Sequence, residues 1–183
     1  GQIYAGDVDR FSFRARRGQS LVIDVRARRL LPFLADAVPG WFEAVILLYD
    51  ADGKQVGSAD CYRFDPDPVL LFETPRDGEY TLEIRDSLYR GRKDFIYRVS
   101  ISEQPLVPAV FPLGGREGVP MSADINGVNL PKQLLALDTR PSQEVIRGVS
   151  FCESCWLPRA VKYAVDSLPE CREIEPNDAI GAA

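Results

Sequence analysis

The stretch Tyr80–Arg85, which reads Tyr-Thr-Leu-Glu-Ile-Arg, alternates apolar and polar side chains without a break. Successive side chains of an extended strand point to opposite faces, so this period of two predicts a half-buried β-strand. The same period recurs in Arg10–Arg16, Leu21–Arg28 and Phe95–Ile101. The turn signal Gly18-Gln19 between the first two segments predicts that they pair as a hairpin.

Further short strands lie between turn signals. The near-continuous apolar run Ala44–Tyr49 is typical of a central strand that is covered on both faces. Gln55–Ala59 and Pro68–Glu73 are shorter strand candidates, and the turn residues of Asp50–Gly53 and Pro75–Gly78 separate the strands. About seven short strands at this spacing indicate an antiparallel sandwich or barrel.

The chain changes character near residue 105. Three prolines and a Gly-Gly pair predict a linker over Pro105–Gly115. Beyond it Met121–Val128 alternates weakly, and Val145–Phe151 and Ala160–Val165 are strand candidates. A small Ig-like sandwich from about residue 105 to about residue 170 accounts for these segments.

The composition excludes several kinds of chemistry. The chain has no histidine, so it contains no Ser-His-Asp or Cys-His catalytic centre and no histidine-ligated zinc or haem. A net charge of −5 argues against nucleic-acid and anionic-membrane partners, which are bound through clustered positive charge. No segment approaches the roughly 20 apolar residues of a membrane span, so membrane insertion is not expected.

Three separated motifs in the first hundred residues occur in the order of one bacterial family. They are the opening Gly1–Ile3 with Gly6–Phe13, the turn Asp50–Lys54 and the segment Thr74–Leu82. Together they resemble the bacterial pre-peptidase C-terminal domain, a jelly-roll-like β-sandwich module of exported proteins. The resemblance covers residues 1–102.

The rest of the chain resembles two further modules. Pro105–Gly115 and Asn126–Leu130 look like the start of an IPT/TIG domain, which has an Ig-like fold. Leu168–Glu170 and Glu173–Asp178 resemble the Glu-Pro-Asn opening of another pre-peptidase module.

These resemblances imply an all-β chain from a tandem array. A jelly-roll-like antiparallel β-sandwich without its first strand is expected over residues 1–103, and a smaller Ig-like β-sandwich over residues 104–171. Residues 172–183 are expected to begin a following module or a linker. The parent would be a larger exported bacterial protein that is periplasmic, at the cell surface or extracellular.

Asp7 and Asp9 are the first candidate site. At i and i+2 of an extended segment they lie on the same side, about 6.6 Å apart, which is close enough to share a hard cation. The family resemblance implies a calcium site that joins such acids to the Glu-Pro-Asn opening, here Glu175, Asn177 and Asp178. In the alternative interpretation, Asp7 caps a turn and Asp9 is solvated.

An acidic loop is the second candidate site. Asp60, Asp65 and Asp67 surround Cys61–Phe64 and could bind calcium or supply the two carboxylates of a glycosidase. Loop carboxylates near prolines are more often turn residues, so a structural role is favoured.

Loop aromatics and arginines are candidate ligand contacts. By sequence position Trp41 with Phe42, and Tyr62 with Phe64, are expected in exposed loops, where aromatics stack on sugars or proteins or close the end of a sandwich. The predicted hairpin would place four arginines together on its outer face, where they would bind an anionic glycan or form cross-strand ion pairs. These are Arg14, Arg16, Arg26 and Arg28.

Four cysteines allow three disulfide pairings. In an exported protein they are more often disulfides than a zinc site or a redox pair. Cys171 paired with Cys152 or Cys155 would close a loop of about 16 to 20 residues, worth about 3 kcal/mol. Cys61 would then be free or paired across the domains.

The sequence therefore predicts a non-catalytic spacer or adhesion module. Calcium at the junctions would stiffen it, and neighbouring domains of the parent protein would be its partners. A module that binds a polysaccharide or fibrous protein is the alternative, and a carboxylate glycosidase is a less favoured third.

Overall fold

The computed structural model describes residues 1–31, 41–131, 133–150, 159 and 161–171. This part of the chain contains thirteen strands and no helix, and therefore no helix that could span a membrane. The chain divides into two compact units, Gly1–Pro105 and Leu106–Ala183. The predicted all-β sandwich fold is confirmed.

The first unit is built from two antiparallel sheets. One has the strand order β1-β6-β3-β4 and the other β5-β2-β7. The strands are β1 (Asp9–Ala15), β2 (Ser20–Arg26), β3 (Ala44–Tyr49), β4 (Gln55–Ala59), β5 (Val69–Glu73), β6 (Gly78–Asp86) and β7 (Arg98–Ser102).

Alternation along the strands places the core between these two sheets. On β6 the three residues predicted to point inward, Tyr80, Leu82 and Ile84, are all fully buried. They pack with the buried residues of β2 and β3 in one cluster, which also contains Phe95. Burial of this apolar surface is the main stabilising term of the unit.

The predicted hairpin of β1 and β2 is wrong. β1 pairs with β6, and β2 pairs with β5 and β7 in the other sheet. The turn at Gly18, whose φ is +80°, therefore carries the chain from one sheet to the other. The physical reason lies in β2, because Val22 and Asp24, predicted to face outward, are as buried as its inward residues. A strand buried on both faces belongs in the middle of a sheet.

The second unit also has two sheets, with the orders β11-β10-β8 and β12-β13-β9. All pairs are antiparallel except that of β13 with β9. The strands are β8 (Leu106–Phe111), β9 (Gly114–Arg116), β10 (Met121–Val128), β11 (Leu134–Leu137), β12 (Ile146–Gly148) and β13 (Lys162–Asp166). Side chains from both sheets form its core, among them Val107, Ile125, Leu135 and Tyr163.

The linker predicted over Pro105–Gly115 is wrong, because this segment forms β8 and β9. Leu106, Val107 and Val110 are buried. Pro108 is tolerated because β8 lies at the edge of its sheet and, among the strands that the structure describes, pairs only with β10. One side of an edge strand has no neighbouring strand, so a residue whose backbone faces that side needs no N–H group to donate a hydrogen bond.

Candidate functional site

The two acids of the predicted calcium site lie where the chain enters β1. Asp7 forms a turn with its own neighbours: its carboxylate accepts hydrogen bonds from the amides of Val8 (2.9 Å) and Tyr4 (3.4 Å). Asp9 accepts a hydrogen bond from the hydroxyl of Tyr97 at 2.5 Å through Oδ2. Asp7 therefore has the turn-capping contacts of the alternative interpretation. Asp9 differs from the solvated residue of that interpretation, because it is half-buried and accepts a hydrogen bond from Tyr97.

Tyr97 anchors this corner of the first unit. Burial and the neighbouring Asp9 carboxylate raise the pKa of Tyr97 far above its usual value, so the phenol keeps its proton and donates a hydrogen bond to Asp9. Oδ1 of Asp9 accepts no hydrogen bond from the described residues.

The described residues supply only half of the predicted calcium site. No group of three or more acidic, cysteine or histidine side chains in them is placed to hold a metal. Glu175, Asn177 and Asp178 lie outside the described residues. A calcium ion takes six to eight oxygen ligands, so Asp7 and Asp9 need that second half.

In the acidic loop, two of the carboxylates hold the backbone. Asp67 is 1% exposed and accepts hydrogen bonds from the amides of Arg28 (2.7 Å) and Arg29 (3.0 Å). Asp65 accepts a hydrogen bond from the Asp67 amide at 2.9 Å, and the Arg29 guanidinium lies within 3.9 Å of both acids. The loop is thereby tied to the end of β2.

Because Asp67 satisfies two backbone donors, we expect Asp67→Ala to lower the free energy of unfolding by about 1–3 kcal/mol. Removing the acceptor would leave the amides of Arg28 and Arg29 without this partner. Urea unfolding of the variant beside Asp60→Ala, an exposed acid of the same loop, measures the effect. Equal stability of the two variants would show that the Asp67 contacts do not hold the loop.

The aromatic candidates separate into two core residues and two loop residues. Trp41 is 6% exposed and Phe42 is 1% exposed, so their predicted place in an exposed loop is wrong. The Trp41 ring packs edge-on against Phe95. The Arg92 guanidinium lies over the Trp41 ring, with its Cζ atom 4.8 Å from the ring centroid. Trp41 closes the end of the sandwich, which was the other predicted use of such residues.

Phe64 is fully exposed, and Tyr62 beside it is half-buried. Tyr62 closes a tight turn through reciprocal backbone hydrogen bonds with Asp65. These two rings stay candidates for ligand contact.

The four arginines do not form one stripe. Arg14 belongs to β1 and Arg26 to β2, which lie in different sheets. The Arg26 guanidinium pairs with the buried Asp24 carboxylate at 3.2 Å. Arg28 follows the end of β2, where its amide donates a hydrogen bond to Asp67. Only Arg14 and Arg16 remain together, at the end of β1.

A buried ion pair that the sequence did not indicate holds the end of β6. Asp86 is fully buried, and its carboxylate accepts two hydrogen bonds from the Arg90 guanidinium and three from the amides of Glu43, Leu88 and Arg90. Burial opposes ionisation, but the Arg90 and amide hydrogen bonds outweigh it and hold the pKa of Asp86 below its usual value. The spacing Asp86-x-x-x-Arg90 after a strand is the sequence feature from which this ion pair could have been predicted.

Cys61 carries a free, exposed thiol in the described structure. The hydrogen bond and negative charge of Asp60 raise the pKa of that thiol, which lowers its thiolate fraction and its reactivity. Cys171 is exposed as well. Cys152 and Cys155 lie outside the described residues, so the pairing with Cys171 stays a prediction.

No family model matches the chain. Over 78 residues it is 36% identical to a probable subtilase-type serine protease of Deinococcus radiodurans. The match covers 43% of this chain and 10% of that protein, so the chain matches about a tenth of the length of this curated relative.

Proposed function

We propose that this chain is a non-catalytic spacer or adhesion module of a larger exported bacterial protein. The similarity to a tenth of a probable subtilase-type serine protease supports a part placed beside a catalytic domain. The resemblance of the first unit to the pre-peptidase C-terminal domain, and of the second to an IPT/TIG domain, supports the same assignment.

The observation that carries this proposal is the use of the acidic loop. A glycosidase needs one carboxyl group that donates a proton and a second that attacks the sugar or activates water. Here Asp67 is buried under two backbone amides and Asp65 is bonded to the Asp67 amide. Groups engaged in this way position the loop, which favours a role in which the two sandwiches hold partner domains apart.

We further propose that calcium stiffens the junction between modules. Asp7 and Asp9 would hold it together with Glu175, Asn177 and Asp178, whether from the same chain or from a neighbouring copy. Oδ1 of Asp9 supports this assignment, because it is the one oxygen of that carboxylate that Tyr97 does not occupy. The bound ion would supply a fixed positive charge that orders the two acids.

Calcium is therefore expected to raise the melting temperature of the full chain above its value in EDTA. At about 100 times the Kd, mass action adds about 2.7 kcal/mol to the free energy of unfolding. Asp9→Asn still accepts the Tyr97 hydrogen bond but should abolish the rise, whereas Asp94→Asn, an exposed acid paired with Arg92, should retain it. Identical melting in calcium and EDTA, or a rise that survives in Asp9→Asn, would overturn the calcium assignment.

The alternative is a module that binds a polysaccharide or fibrous protein through the exposed loop aromatics. The complete exposure of Phe64 favours it, because an unburied phenylalanine ring is available for stacking. Retention of the chain on an insoluble polysaccharide or collagen, lost in Phe64→Ala, would support this alternative.

A further inference from the structure

The outer face of the β1-β6-β3-β4 sheet carries a polar groove that shares only Arg14 and Arg16 with the candidate sites above. Pairing of β1 with β6 places Arg14 opposite Glu79 and Ser12 opposite Thr81. Pairing of β6 with β3 then places Tyr49 on the other side of Thr81. The groove therefore follows from the register of three neighbouring strands.

Two adjoining cavities make up this groove. One has a volume of about 660 Å³ and includes Tyr49, Thr81 and Glu79 in its lining. The other has a volume of about 760 Å³ and includes Glu79, Arg14 and Arg16. Each is as large as a small-molecule site, and because they share Glu79 they could hold successive units of one chain-like ligand.

The groove contains polar groups that the fold does not use. The exposed side chains of Glu79, Arg14 and Arg16 make no hydrogen bond or ion pair among the described residues. Arg10 is different, because its guanidinium pairs with Glu83 at 2.7 Å. The unused groups offer hydrogen-bond acceptors at Glu79 and donors at the two arginines.

The groove has no excess of positive charge that would attract an anionic ligand. In its first cavity Glu83 pairs with Arg10 and Asp50 pairs with Arg76, so Glu79 supplies the unpaired charge. The second has two carboxylates against two guanidinium groups. A sugar hydroxyl both donates and accepts hydrogen bonds, so an uncharged sugar chain matches this mixture, and the half-buried Tyr49 ring adds an apolar surface for stacking.

We propose that this groove binds the chain of an uncharged polysaccharide, with Tyr49 stacking on one sugar and Glu79 accepting hydrogen bonds from two adjacent sugars. This site lies on a sheet face, apart from the loop aromatics. It adds a ligand to the proposed accessory role, that of a non-catalytic spacer or adhesion module, and it does not depend on calcium.

The test is retention of the full chain on insoluble cellulose, chitin and starch, with a calcium alginate gel as the anionic probe. We expect retention on at least one of the three uncharged polymers and weaker retention on alginate. Glu79→Ala and Tyr49→Ala should each weaken binding by about tenfold or more, the effect of losing a charged hydrogen-bond acceptor or a stacking ring. Glu79 is exposed and has no hydrogen-bond or ion-pair partner in the described part of the chain, so its variant should melt as the wild type does.

The matched controls are Phe111→Ala, an exposed ring of the second unit, and Asp94→Ala, an acid outside the groove; neither should change retention. Absence of retention on all three uncharged polymers, stronger retention on alginate, or unchanged binding by Glu79→Ala would overturn the proposal. If Tyr49→Ala does not fold, the Glu79→Ala result decides. Catalytic turnover would contradict the accessory role but not this site, so the two proposals fail separately.

Discussion

Replacing Asp86 with alanine is expected to lower the free energy of unfolding of the first unit by about 3–5 kcal/mol, the usual cost of breaking a buried ion pair. Asp86 is fully buried and accepts five hydrogen bonds, two of them from Arg90. Its removal takes two hydrogen bonds from the Arg90 guanidinium, which is 23% exposed and also donates to the Trp41 carbonyl, and it leaves three amide donors without their acceptor. A domain of ordinary stability has about 5–15 kcal/mol in total, so this loss is a large part of it.

Urea unfolding of the wild type and the variant measures this effect, with Asp94→Ala as the control. Asp94 pairs with Arg92 on the surface, where both side chains are more than 40% exposed, so its loss should cost no more than about 1 kcal/mol. Equal costs for Asp86→Ala and Asp94→Ala would contradict the assignment of a buried pair.

Acid should reduce the difference between the wild type and Asp86→Ala. The pKa of Asp86 in the folded chain is lowered, so the ionised carboxylate stabilises the fold above the pKa of the unfolded chain. That contribution is lost as the pH falls through the lowered folded pKa. A difference in stability that grows as the pH falls would have the wrong sign.

Replacing Trp41 with alanine is expected to lower the free energy of unfolding by about 3–5 kcal/mol, as for other buried aromatic residues. The ring contacts Phe95, with centroids 5.5 Å apart, and it lies beneath the Arg92 guanidinium. Its removal opens a cavity at the end of the sandwich.

Thermal and urea unfolding of Trp41→Ala beside Phe64→Ala measure this second effect. Phe64 is fully exposed, so its removal should change stability by no more than about 0.5 kcal/mol. A Trp41→Ala variant with wild-type stability would show that the ring is not part of the core.

The sequence predicted the strands of the first unit well because alternation is a local property. Gln55–Ala59 is a strand with the predicted bounds, and Tyr80, Leu82 and Ile84 are buried as predicted. Alternation does not say which strands pair. Ser12 of β1 lies 69 residues from its partner Thr81 on β6, and only tertiary packing selects that partner over the nearby β2.

The same limit explains the misplaced residues. Proline spacing suggested a linker, yet an edge strand such as β8 tolerates Pro108 because one side of it has no partner strand. Trp41 follows a proline-containing segment that is typical of a loop, and its burial depends on Phe95, far away in the sequence. For the acidic loop, the residue types were visible in the sequence, but the hydrogen bonds that make Asp67 structural were not.

The proposed non-catalytic role is tested most directly by incubating the purified full chain with casein and with aryl glycosides and measuring product release. We expect no release above that in buffer, because Asp65 and Asp67 of the acidic loop hold its backbone. Release of the aryl group by the wild type that is abolished in Asp65→Asn, while that variant keeps the wild-type melting temperature, would contradict the accessory role.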